Sequence, residues 1–197
     1  MNRKQLEELL YQAMETELGG EQVYLTAIEC AVNDDLAEEW RKYLEETREH
    51  QEILKGVFEA AGLEVDTESP GRKVVRHKGE SLVAAMEMAR AEGDEIAAQL
   101  VAAECVVEAE TKDHQNWELI GRLAEHVDGA LAKVMTAAYG EVAEEEAHHL
   151  YHTMGWAREL WLDSLGVPAV LPPPEEKKKG ETPIGAARAE HKRGDYL

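Results

Sequence analysis

The sequence predicts an all-α protein, an antiparallel four-helix bundle with one long crossover between its second and third helices. Three observations predict it. Helix formers dominate: Ala, Glu and Leu are heavily used, and there is one Phe in 197 residues. Apolar residues recur at helical spacing through four long runs. The connections between those runs are short, long and short, which is how a bundle with one crossover is strung.

The first run covers residues 2–32, with Leu6, Leu10, Ala13, Glu17, Tyr24, Ile28 and Ala31 on one face. Asn33-Asp34-Asp35 ends it and caps the next helix. The second run, 36–61, carries Trp40, Tyr43, Leu44, Leu54, Val57, Phe58 and Ala61, and Gly62 suits a C-cap. The connection from 63 to about 79, with Ser69-Pro70-Gly71, is too long for a tight turn and reads as the crossover. Ser81 reads as the cap of a third run over 82–124, with Ala91-Glu92-Gly93-Asp94 a candidate break inside it. Its apolar face holds Met86, Ala89, Ile96, Leu100, Ala103, Val107 and His114. After the turn at 126–129, a fourth run spans 130–165. The bundle is expected to occupy residues 1–166. Residues 167–197 form a Pro-rich, charged tail that is not needed to close the core.

Charge narrows the partners. The chain carries 41 acidic and 21 basic residues, a formal charge of -20. Such a surface repels nucleic acid and anionic membranes and attracts small cations. No apolar run reaches the length of a membrane span, and the N-terminus leads into an amphipathic pattern, so a cytoplasmic location is expected. Cys30 and Cys105 lie alone in apolar helical stretches and suggest no disulfide framework.

Chemistry concentrates in Glu144-Glu145-Glu146-Ala147-His148-His149, which offers two overlapping Glu-x-x-His pairs, Glu145/His148 and Glu146/His149. Residues three apart share a helix face, so each pair can hold one transition metal. Facing favours the second pair and the Glu-Glu-x-His wording favours the first, so both stay open at the level of sequence. Glu17 sits mid-way along the first helix's apolar stripe, where an unpaired carboxylate is costly to bury. In the second helix, Glu46 and His50 reach the same level. Glu45–His50 aligns with Glu144–His149, which sets Thr47 where a Glu partner for His50 is wanted. The third helix offers Glu104, Glu108 and Glu110, with Glu108 the compromise between level and facing. His152, one turn past His148, is a further ligand or proton-shuttle candidate.

On Glu17 in Glu-Leu-Gly-Gly-Glu-Gln-Val-Tyr, Glu46–His50 in Glu-Thr-Arg-Glu-His and Glu-Glu-Ala-His at 145–148, residues 5–165 resemble the ferritin-like superfamily, nearest to rubrerythrin and bacterioferritin-type domains. The resemblance implies a metal site built from Glu17, Glu46, His50, Glu108, Glu145, Glu146, His148 and His149. It implies two irons per chain, or iron with manganese. Ferroxidase or peroxidase chemistry on dioxygen or hydrogen peroxide would follow, in a homodimer or larger assembly. Thr47 departs from the pattern and keeps a second expectation in play, a helical module without redox activity used for assembly or ligand binding. No Cys-x-x-Cys pair is present, so the rubredoxin-like domain of some relatives is not expected. In the tail, Pro183–Arg188 resembles, over a few residues, the docking peptide of encapsulin-shell cargo.

Overall fold

The computed structural model describes residues 2–174, and the resembling docking peptide at 183–188 lies outside them. Among the described residues the regular structure is all helical, with α1 Arg3–Cys30, α2 Asp34–Ala61, α3 Pro70–Ala91, α4 Glu95–Ala124 and α5 Gly129–Ser164. Each start is set by local chemistry. The side chains of Asn2, Asn33, Ser69 and Asp94 accept from the backbone N–H three residues on, filling donors that a helix leaves open. Gly62 ends α2 in the left-handed region at φ 69°, as its position suggested.

The crossover differs from expectation. Residues 63–79 are not a bare loop, and Ser81 is not a cap. Ser69-Pro70 is a helix start, with proline at the first position where its missing N–H costs nothing. The resulting helix runs through Ser81, whose hydroxyl donates to the His77 carbonyl. The expected third helix is therefore two elements, parted at Glu92-Gly93-Asp94. Gly93 takes φ 79° there, and Asp94 caps α4. Met86 consequently packs from α3, and Ile96 is exposed.

α1, α2, α5 and α4 pack in a closed ring, each on the next, and α3 lies along α1 and α4. Arg72 and Arg76 of α3 clasp the buried Glu15 of α1, each with a nitrogen–oxygen contact of 2.6 Å. Further along, Gly79 and Gly19 let the two backbones meet: a Cβ on Gly79 would lie 3.6 Å from the Gly19 Cα.

The core divides into two apolar layers. One joins the C-terminal half of α1 to the N-terminal halves of α2 and α4 and the end of α5, through Val23, Tyr24, Trp40, Leu44, Ala103 and Trp156. The other joins the opposite ends through Leu10, Met14, Leu54, Phe58, Trp117 and Met135. Each ring neighbour is thus antiparallel to the next. Between the layers, at the same level of all four ring helices, a group of carboxylates and imidazoles is buried. Among the described residues no helix is long and apolar enough to cross a membrane.

Candidate metal centre

Glu17 from α1, His50 from α2, Glu110 and Asp113 from α4, and Glu146 and His149 from α5 fill this polar level, none more than 5% exposed. Helical spacing explains the pairs: Glu110/Asp113 and Glu146/His149 stand three apart on faces turned to the bundle axis. His50 Nδ1 lies 3.0 Å from Glu146 Oε1 and 3.8 Å from Glu17 Oε1. His149 Nδ1 lies 3.7 Å from the same Glu146 oxygen and 3.6 Å from Glu110 Oε2. Two triads result, Glu17–His50–Glu146 and Glu110–Glu146–His149, each with ligand atoms within 4.8 Å of one another. Glu146 belongs to both.

The outer side of each imidazole is held. His149 Nε2–H donates to Glu46 Oε2 at 2.9 Å, and His50 Nε2–H donates to Glu145 Oε2 at the same distance. With both Nε2 atoms bonded outward, both Nδ1 atoms face the axis, and the two rings stack with centroids 5.7 Å apart. The carboxylates are held too. Trp117 Nε1–H donates to Glu17 Oε1 at 2.7 Å, and the Tyr24 hydroxyl donates to Glu110 Oε1 at 2.8 Å.

One atom of each inward residue is left over. Glu17 Oε2, His50 Nδ1, Glu110 Oε2, Asp113 Oδ1, Glu146 Oε2 and His149 Nδ1 are buried without a hydrogen-bond partner. Buried polar atoms are nearly always satisfied, so six orphans in one cluster form a group that could hold a cation. Charge agrees. Burial first, then the neighbouring acids, push Glu17, Asp113 and Glu146 well above the usual carboxylate range. Burial pulls His149 down, but Glu110, Glu46 and Glu146 around it outweigh that and hold its pKa up at about 10. The peripheral Glu46 is the opposite case. Burial would raise it, and His149 and Lys42 more than offset this and lower it.

No protein-family profile, curated protein or solved structure matches this chain. The site therefore rests on its own geometry.

That geometry sorts the eight residues of the sequence reading. Glu17, His50, Glu146 and His149 come together at the axis. Glu46 and Glu145 stand behind the two imidazoles instead of beside them. His148, one position before His149, is rotated by about 100° and stacks on His152 away from the centre. Glu108 is exposed, and Glu104 is exposed and accepts from Trp161 Nε1. The α4 carboxylate that enters is Glu110, on the face of α4 that also buries Ala103, Val106, Asp113 and Trp117. Asp113 was missed. Its signal was available, a Glu-x-x-Asp spacing that mimics Glu-x-x-His. Thr47, 3% exposed, stands on α2 in the place of a carboxylate and donates to the Tyr43 carbonyl.

Proposed function

We propose that this chain is a ferritin-like bundle that holds two divalent transition metals between two Glu/His triads that share one carboxylate. The observation that carries the reading is Glu146, a buried carboxylate shared by two His/Glu triads. Glu17, His50 and Glu146 would hold one ion, and Glu110, His149 and Glu146 the other. Asp113 adds the carboxylate that Thr47 does not. Four buried carboxylates, those of Glu17, Glu110, Asp113 and Glu146, balance the charge of two dications.

A carboxylate and imidazole donor set suits iron, manganese or zinc, and iron is the metal we assign. Bound there, a pair of irons would supply the electrons for ferroxidase or peroxidase chemistry with dioxygen or hydrogen peroxide. The chain's own residues do the rest. Glu46 and Glu145 fix the imidazole tautomers and make the rings better donors. Trp117 and Tyr24 orient Glu17 and Glu110. The two apolar layers keep bulk water from the centre. Tyr24, bonded to Glu110, also places a phenol proton directly beside it.

Thr47 favours a second reading, a bundle that keeps the fold and uses it for assembly without redox activity. Anaerobic titration of chelator-stripped full-length protein with ferrous iron separates the two. Two tightly bound ferrous ions at the centre, oxidised to ferric by the dioxygen taken up on aeration, support the first. No uptake of iron supports the second.

A further inference from the structure

Beside the buried centre, on the other side of the Tyr43 ring, lies a second His/carboxylate cluster. His148 and His152 stand one turn apart on α5 with rings stacked at 4.9 Å. Glu39 reaches them from α2, its Oε2 3.7 Å from His152 Nδ1. One ligand atom from each of the three lies within 4.8 Å of the others. The Tyr43 hydroxyl, 2.6 Å from His152 Nδ1, fixes that ring.

Unlike the axial cluster, this one opens outward. Glu39 and His152 line a cavity of about 350 Å³ whose wall also carries Asp35, Glu38, Trp156 and Pro172. Three carboxylates around one mouth raise the local concentration of cations and turn anions away. The cavity presents the His152 imidazole and the Glu39 carboxylate, and the His148 ring stacked on His152 completes a donor set that binds first-row divalent metals with positions left open for water. The sides of the Tyr43 ring tie the two clusters together, with its centroid 4.3 Å from that of His149 and 5.7 Å from that of His148.

We propose that Glu39, His148 and His152 form a separate mononuclear site for a divalent first-row transition metal, reached from solvent through this acidic cavity. The site does not depend on the axial centre: the two share no ligand.

Equilibrium dialysis of the metal-stripped full chain against Co²⁺ tests it. Wild type is expected to bind one more ion than a His148→Ala/His152→Ala variant. Glu39→Gln leaves both imidazoles in place and its side chain is 34% exposed, so folding is not at stake. It should weaken the same ion by at least about tenfold, no less than the loss of an outer partner of a ligand costs. Three ions in wild type and two in the double variant support both centres. One ion in wild type and none in the double variant keeps the outer site and removes the axial one. Equal Co²⁺ binding by wild type and both variants overturns the proposal.

Discussion

Glu145 on α5 holds His50 on α2 by a 2.9 Å hydrogen bond to Nε2, and the relation is returned: Glu46 on α2 holds His149 on α5 at the same distance. In each helix the carboxylate precedes the histidine by one turn, so the two helices present the same pair to each other. The exchange ties α2 to α5 and turns both Nδ1 atoms inward. In the proposed centre neither glutamate would need to touch a metal to govern how well the imidazoles bind one.

Glu46→Gln and Glu145→Gln should therefore each weaken metal binding by about 10- to 100-fold while the stoichiometry stays at wild type. Competition with a chromophoric chelator measures this. Loss of a whole ion in either variant would make that glutamate a direct ligand and contradict the geometry.

Metal loading should release protons. Glu17, Asp113 and Glu146 are raised above the usual carboxylate range, so the metal-free centre carries protons that ligation must expel. His149, held at about 10, must also give up its Nδ1 proton. Affinity should accordingly fall as pH falls. A pH indicator in weak buffer reads the release directly, and titration with no proton release would show that these groups do not ligate.

Glu17→Gln should divide stability from binding. The amide keeps an acceptor for Trp117 and removes a buried acid, so metal-free protein should gain about 1–3 kcal/mol. The thermal shift on adding metal should shrink sharply. A variant with lower metal-free stability and an unchanged shift would place Glu17 outside the centre.

Glu15 should make α3 docking sensitive to acid. Burial alone would raise its pKa, but Arg76 and Arg72 outweigh this and lower it below the ordinary 4.5. Its contribution is thus complete above 4.5 and is lost as pH drops through the depressed folded value. Glu15→Gln leaves the buried Arg72 uncompensated and should cost about 3 kcal/mol at neutral pH. Urea unfolding from neutral pH to pH 3 should show a flatter pH profile for the variant.

Truncation after Gly166 should cost stability without costing metal. The Val170 N–H donates to the fully buried Glu159 at 2.7 Å, and Leu171 packs on the core. Losing the donor should destabilise by about 1–3 kcal/mol, read as a lower midpoint in denaturant. A truncated chain that keeps its helix content and wild-type stability would show that this segment adds nothing to the bundle.

By itself the sequence determined the helical class, the helix boundaries at Asn33, Gly62, Gly93-Asp94 and Asp128-Gly129, and the level at which the buried carboxylates and imidazoles sit. Those features are local: capping and apolar period depend on residues within a few turns of one another. It also singled out Glu17 and His50, because a charged or imidazole group inside an apolar stripe stands out without knowledge of its neighbours. The start of α3 was legible in Ser69-Pro70 yet was outweighed by the basic, weakly apolar stretch after it, since α3 buries only Arg72, Val75 and Met86. Only tertiary structure decided between Glu146/His149 and Glu145/His148, and chose Glu110 with Asp113 over Glu108. The two overlapping pairs differ by one residue, about 100° of rotation, and the packing of α5 against α2 and α4 fixes that angle. The same packing makes Glu46 and Glu145 partners of the opposite helix's histidine, a relation between residues 103 and 95 positions apart that no local pattern encodes.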